Sequence, residues 1–146
     1  MEQHVSIDID APASRVWDIL SDAERWPEWT ASVRRVTLHD GTLRVGAKAT
    51  IDQPRIPTVP WTVTSLSPGQ SFTWESGGGA AHTVARHVVE ALGPDRCRVT
   101  LSVTQSGVIG SVVGRLYRGL TDRYLALEAS GLKSRAESDW TAPQTP

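Results

Sequence analysis

Apolar and polar residues alternate from Val5 to Ile9, with Val5, Ile7 and Ile9 on one side and Ser6 and Asp8 on the other. That period of two describes a half-buried strand, which ends at Asp10. The period then changes. Pro12 suits the first turn of a helix, where its missing N–H is not needed, and Val16, Trp17, Ile19 and Leu20 give that helix an apolar side. Ser21-Asp22 can cap a second short helix, expected to stop before Pro27 because the residue ahead of a proline is pushed out of the helical region. Six segments with strand character follow, at 32–39, 45–52, 61–66, 71–76, 83–92 and 96–105. Between them lie turn signals: Asp40-Gly41, Pro68-Gly69, Gly77-Gly78-Gly79 and Gly93-Pro94-Asp95. Links this short imply an antiparallel meander, since parallel neighbours need a long crossover. The remaining separator, 53–60, carries Pro54, Pro57 and Pro60, which remove ladder donors; a stiff loop is expected, with Ile56 and Val59 either forming a lip or packing down.

From Val108 onward the period lengthens to three and four. Ile109, Val112, Val113, Leu116, Tyr117, Leu120, Tyr124, Leu127 and Leu132 mark the apolar side of one long helix, with Arg115, Arg118, Asp122, Arg123 and Glu128 on a solvated side. The pattern predicts an α+β domain over 1–137: a curved antiparallel sheet of six to seven strands wrapped around a long C-terminal helix, with two short helices after the first strand. The helix is the only element large enough to cover the sheet's apolar face. Residues 138–146, rich in small residues and proline, are expected to be a disordered tail.

Length and charge narrow the function classes. A chain of 146 residues fits one domain and buries a core without staples. The single cysteine, Cys97, excludes an intramolecular disulfide and a Cys-based zinc site; its place beside Val99 in the alternation predicts a buried, inert thiol. With no signal-like opening and no apolar run near the ~20 residues a bilayer demands, a cytoplasmic address without integral membrane association is expected. A net charge of -1 disfavours a nucleic-acid partner. His82 and His87, five apart in one strand, fall on opposite faces, which argues against a shared metal; no cofactor is expected either. Gly77-Gly78-Gly79 reads as a hairpin rather than a phosphate cradle, and the Gly110/Gly114 pair as a place of close packing or a wider cavity mouth.

Two stretches carry a family resemblance. Ile9-Asp10-Ala11-Pro12-Ala13-Ser14-Arg15-Val16-Trp17-Asp18-Ile19-Leu20, followed by Asp22-Ala23-Glu24-Arg25-Trp26-Pro27-Glu28-Trp29, is similar to the strand-to-helix opening and tryptophan-proline turn of the helix-grip superfamily. That superfamily includes START domains, the birch-pollen allergen fold and the bacterial polyketide cyclase/dehydrase and lipid-transport family. Phe72-Thr73-Trp74 and Ala85-Arg86-His87 resemble its later strands, with Ala85 standing where relatives often have glycine. The resemblance spans 5–136 and implies the helix-grip fold. It does not select a function, because a fold of this kind hosts many.

Strand alternation sorts the candidate site. With Glu90 in solvent, His87, Ala85 and Val89 turn inward, as do Trp61 and Val63, Phe72 and Trp74, and Val99 and Leu101; Glu75 turns outward. Val113, Leu116, Tyr117, Leu120 and Tyr124 face them from the helix, while Ala47, Ala49 and Ile51 leave room. Trp26 and Trp29 are expected to anchor the second helix. Apolar cavities with a few polar groups are where small ligands bind, so the first expectation is a small hydrophobic ligand, such as a polyketide, lipid or aromatic metabolite. The resemblance also implies an alternative, an aromatase/cyclase-type enzyme in which His87 transfers a proton and Tyr124 or Tyr117 orients an oxygen. His87 can equally be a core histidine bonded to a backbone carbonyl. A third reading, a protein-interaction or regulatory module, would use Arg115, Arg118 and Arg123.

Overall fold

A computed structural model of the chain describes residues 1–138 and 140. Seven strands form a single antiparallel sheet in the order β1-β7-β6-β5-β4-β3-β2. They are β1 (Glu2–Ile9), β2 (Arg35–Leu38), β3 (Lys48–Gln53), β4 (Ile56–Ser67), β5 (Ser71–Gly78), β6 (Ala81–Gly93) and β7 (Arg96–Ser106). Strands β2 to β7 run as the meander that the short links require, and β1 closes the sheet against β7. The register aligns Phe72 with His87 and His87 with Leu101, so these three lie in one row across the sheet. Gly77, at φ +74, makes the β5–β6 hairpin possible: a Cβ there would sit 2.2 Å from the carbonyl oxygen of Ala81.

Helix α1 (Ala13–Ser21) buries Val16 and Leu20, with Pro12 just outside it as the N-cap at φ -60. The second short helix, expected to stop before Pro27, instead runs from Ala23 to Glu28 as a 3-10 helix with Pro27 inside it. Its backbone bonds explain the tolerance. Arg25 N–H donates to Asp22 and Trp29 N–H to Trp26, and neither needs a donor at position 27. The indole of Trp26 donates to the Leu20 carbonyl at 2.9 Å, tying this turn to the end of α1.

Two further expectations are corrected. The proline-rich stretch is not a loop: β4 starts at Ile56, and Val59 and Pro60 pair with Ile51 and Thr50 of β3. Strand β5 joins β4 only from Thr62 onward, so the prolines occupy a locally one-sided stretch, where a missing N–H removes no ladder bond on the open side. The long helix is also broken. Tyr117, at φ -98 and ψ 10, separates α2 (Val108–Leu116) from α3 (Arg118–Glu137).

The two halves bury different kinds of side. Against the sheet α2 sets Gly110 and Gly114; a Cβ on Gly110 would meet Ala81 Cα at 3.4 Å, and one on Gly114 would lie 2.5 Å from Gln105 Oε1. The amides of Ile109 and Gly110 both donate to the Ala80 carbonyl, fastening the helix start to the β5–β6 turn. With its glycines inward, α2 turns Val108, Ile109, Val112 and Leu116 outward, Leu116 to 77% exposure. Helix α3 buries Leu125, Ala129, Leu132 and Ala136 against β1 and α1. Its backbone reaches Trp29 at Gly131, where a Cβ would collide with the Trp29 carbonyl. Ile9, Val16, Leu20, Phe72, Val63, Val99, Cys97 and Leu132 form the fully buried core. Of the tail at 138–146 only Ser138 and Trp140 are described, with Trp140 partly buried against the core; the expectation for the rest lies outside the described residues.

Candidate functional site

The sheet is filled with side chains at one end and left open beneath the helices at the other. Ala85 lies between Trp74 and Val103 in register, a methyl group between larger neighbours, and a small residue in such a row leaves space beneath the covering helix. A cavity of about 400 Å³ results, partly open to solvent. Ligand sites commonly measure roughly 300–1,000 Å³. Trp26, Trp61 and Trp74 supply its aromatic wall, with Trp74 ring centroids 5.3 Å from Trp26 and 6.2 Å from Trp61. Ile56, Pro57 and Val59 of the proline stretch also line it, as a rigid rim.

His87 stands inside, as its strand position predicts. Its ring stacks on Phe72 at 4.0 Å, and Nδ1 lies 3.1 Å from the Phe72 carbonyl. A carbonyl only accepts, so Nδ1 carries the proton and Nε2 is left as an acceptor. Burial lowers the imidazole pKa to about 4, with the carbonyl bond opposing the shift only in part. At neutral pH His87 is uncharged and a poor base. Tyr124, also on the cavity wall, donates its hydroxyl to the Pro54 carbonyl, linking α3 to the proline stretch. Tyr117, at the break between helices, lines the cavity too.

Of the residues singled out from sequence, Trp61, Trp74, Ala85, His87, Leu101, Val113, Tyr117 and Tyr124 border the cavity. Val63, Phe72, Val89 and Val99 are buried in the packed core beyond it. Leu116 faces solvent because the glycine side of α2 faces the sheet, and Leu120 is partly exposed away from the cavity. Cys97 is fully buried, as expected, its thiol pushed up to about 11 by desolvation. On the outer face His82 pairs with Glu75 at 2.8 Å.

Glu128 is a further residue whose expected position is overturned. Assigned to the solvated side of the helix, it lines the cavity instead. The signal was present: position 128 lies four after Tyr124 and four before Leu132, and residues four apart share a helix face. Its Oε1 accepts a hydrogen bond from the Ser32 hydroxyl at 3.2 Å, and Ser32 in turn lies 2.8 Å from the Thr30 hydroxyl, both of these residues being buried. Desolvation raises the carboxyl pKa to about 7, the Ser32 bond offsetting only part of the cost. Arg115, Arg118 and Arg123, by contrast, remain exposed on the outer surface.

A curved seven-stranded sheet gripping a C-terminal helix, with a cavity between them, is the helix-grip architecture. The chain belongs to the polyketide cyclase/dehydrase and lipid transport family, whose profile matches residues 2–137. A search of the curated proteins finds no significant match. Among solved structures it is similar to the Zhui aromatase/cyclase from Streptomyces sp. R1128, at 16% identity and TM-score 0.73, covering 97% of this chain and 98% of that one. Norcoclaurine synthase from Thalictrum flavum, in complex with dopamine and hydroxybenzaldehyde, matches at 14% identity and TM-score 0.73 over 97% and 88% of the two chains. A START superfamily protein from Mycobacterium smegmatis matches at 19% identity and TM-score 0.70, over 93% and 97%. At these identities the likeness is one of fold. Among the described residues no helix is long and apolar enough to cross a membrane.

Proposed function

We propose that this protein binds a small, largely apolar and aromatic molecule in the cavity between the sheet and α3. The observation that carries the reading is the cavity itself: about 400 Å³ walled by Trp26, Trp61 and Trp74, with few ionisable groups reaching it. Enclosed apolar surface of this kind gains free energy by excluding water, roughly 25 cal/mol for each Å² covered. The aromatic wall favours a ring-bearing ligand over a long-chain lipid, and the family description includes polyketide cyclases. His87 supports binding more than proton transfer, since its buried imidazole resists the charge that a general base must acquire.

The three tryptophans provide the assay. Titration with 2-isopropenylnaphthalene is expected to quench tryptophan emission saturably, and Thr121→Trp, which fills the cavity from α3, is expected to weaken binding at least tenfold while leaving the melting temperature within a few degrees. Equal affinity in the two proteins, or no saturable quenching in the wild type, contradicts the reading.

A further inference from the structure

Among the described residues lining the cavity one is acidic, and no cation pairs with it. Glu128 enters from α3, and the other ionisable residues lining the same space are His87, Arg86, Tyr117 and Tyr124. None of these forms an ion pair or hydrogen bond with Glu128; its recorded partner among the described residues is Ser32 alone. On its own helix, Lys133 is engaged by Glu137 and Arg135 by Glu28. Ser32 donates its one hydroxyl hydrogen to Oε1, so in its contact with Thr30 it accepts and the Thr30 hydroxyl donates. Two buried hydroxyls are thus spent on holding one carboxyl oxygen in place.

The second oxygen, Oε2, makes no hydrogen bond among the described residues and is not among the fully buried unpartnered atoms, while the residue that carries it lines the cavity. A carboxylate left in this position would be an uncompensated charge beside an apolar wall, which burial penalises heavily. A protonated carboxyl avoids that penalty and presents an O–H to whatever occupies the space. Consistent with this, burial keeps the proton on to about pH 7.

We propose that Glu128 is the hydrogen-bond donor of the cavity, its un-ionised carboxyl group holding a carbonyl or phenolic oxygen of the bound molecule. The proposal rests on the cavity-binding reading above and adds the chemistry of the ligand's polar end: an oxygen acceptor rather than an ammonium group. An amine would require the opposite state of Glu128, an ionised carboxylate. Binding and pH therefore separate the two.

Three naphthalenes of similar size make the test: 2-acetylnaphthalene, which offers a carbonyl; 2-isopropenylnaphthalene, its hydrocarbon counterpart; and 1-(2-naphthyl)ethylamine, which carries an ammonium group. Affinities are read by tryptophan quenching at pH 5.5 and 8.5. Wild-type protein is expected to favour the ketone over the hydrocarbon by about three- to tenfold at pH 5.5, the span of a neutral hydrogen bond. That preference should vanish at pH 8.5, where the carboxyl proton is lost. Glu128→Gln, which keeps an N–H donor, should retain the preference at both pH values. Glu128→Leu should lose it at both, ketone and hydrocarbon then binding that variant equally well. An infrared spectrum of the bound ketone should show its carbonyl stretch lowered in the wild type at pH 5.5 and not in Glu128→Leu. Equal binding of ketone and hydrocarbon, or a preference for the amine that grows with pH, overturns the proposal and leaves the cavity reading standing. Failure of all three naphthalenes to bind overturns both.

Discussion

His87 and Glu128 border one cavity, and burial acts on them in opposite directions. Desolvation lowers the imidazole from 6.5 to about 4 and raises the carboxyl from 4.5 to about 7, so each favours its neutral form. For His87 the unfolded chain takes up a proton first as pH falls, so stability is full above pH 6.5 and drains away between 6.5 and 4. For Glu128 the folded chain keeps a proton that the unfolded chain has lost, so stability drains away as pH rises from 4.5 through 7. Each effect amounts to up to ~3 kcal/mol, and the two slopes oppose one another between pH 4.5 and 6.5. Wild-type stability should therefore be nearly flat there, with the individual contributions visible only in variants. Urea unfolding should show Glu128→Gln gaining on the wild type as pH rises from 4.5 to 7, and His87→Gln gaining as pH falls from 6.5 to 4. Profiles parallel to the wild type would refute these environments. Only half of this pair was legible in the sequence. Period-two alternation carries His87 inward from a single exposed residue, Glu90. A glutamate on a helix among arginines reads as solvated, and its spacing from Tyr124 and Leu132 outweighs that only when the face is counted strictly.

The α2 and α3 helices show how far periodicity reaches at the level of elements. The three- and four-residue spacing correctly marks helix from Val108 to Leu132, but an apolar stripe does not name the surface that it faces. On α2 the glycines decide. Gly110 and Gly114 let the helix backbone approach β6 and β7, and that contact turns the branched residues outward. Leu116→Ser should consequently change stability by no more than about 0.5 kcal/mol, as surface substitutions do. Leu132→Ala, in the fully buried part of α3, should cost about 2–5 kcal/mol through lost burial and the void it leaves. Denaturant unfolding of the two variants tests the assignment, and comparable losses would mean that α2 is packed apolar-side inward. The proline stretch escaped sequence reading for a related reason. Proline excludes a strand bonded on both sides, whereas Val59 and Pro60 have a ladder neighbour in β3 only.

Across the whole molecule, the order of elements was the most legible feature: one strand, two short helices, a meander and a helical C-terminus leave few ways to bury one sheet face. The cavity was legible in outline only: room was expected at Ala47, Ala49 and Ile51, of which Ile51 lines the cavity while Ala47 and Ala49 are packed in the core, and Ala85 lies in the row between Trp74 and Val103. Its extent was not. Ile56 and Val59 line the cavity as one of the two readings of their stretch had it, though from a strand and not a loop, while Trp26 reaches the space from the 3-10 turn through tertiary placement that local patterns do not encode. The central claim is that this interior space, and not an outer surface, takes up a small apolar molecule. The most direct measurement is a two-dimensional ¹H–¹⁵N NMR titration of the labelled protein with 2-acetylnaphthalene. Saturable shifts should concentrate at the indoles of Trp26, Trp61 and Trp74 and the amides of Ala85, His87 and Thr121, leaving the outward-facing Val88 and Glu90 unmoved. Shifts confined to the exposed side of α2, or none at saturating ligand, would contradict the account.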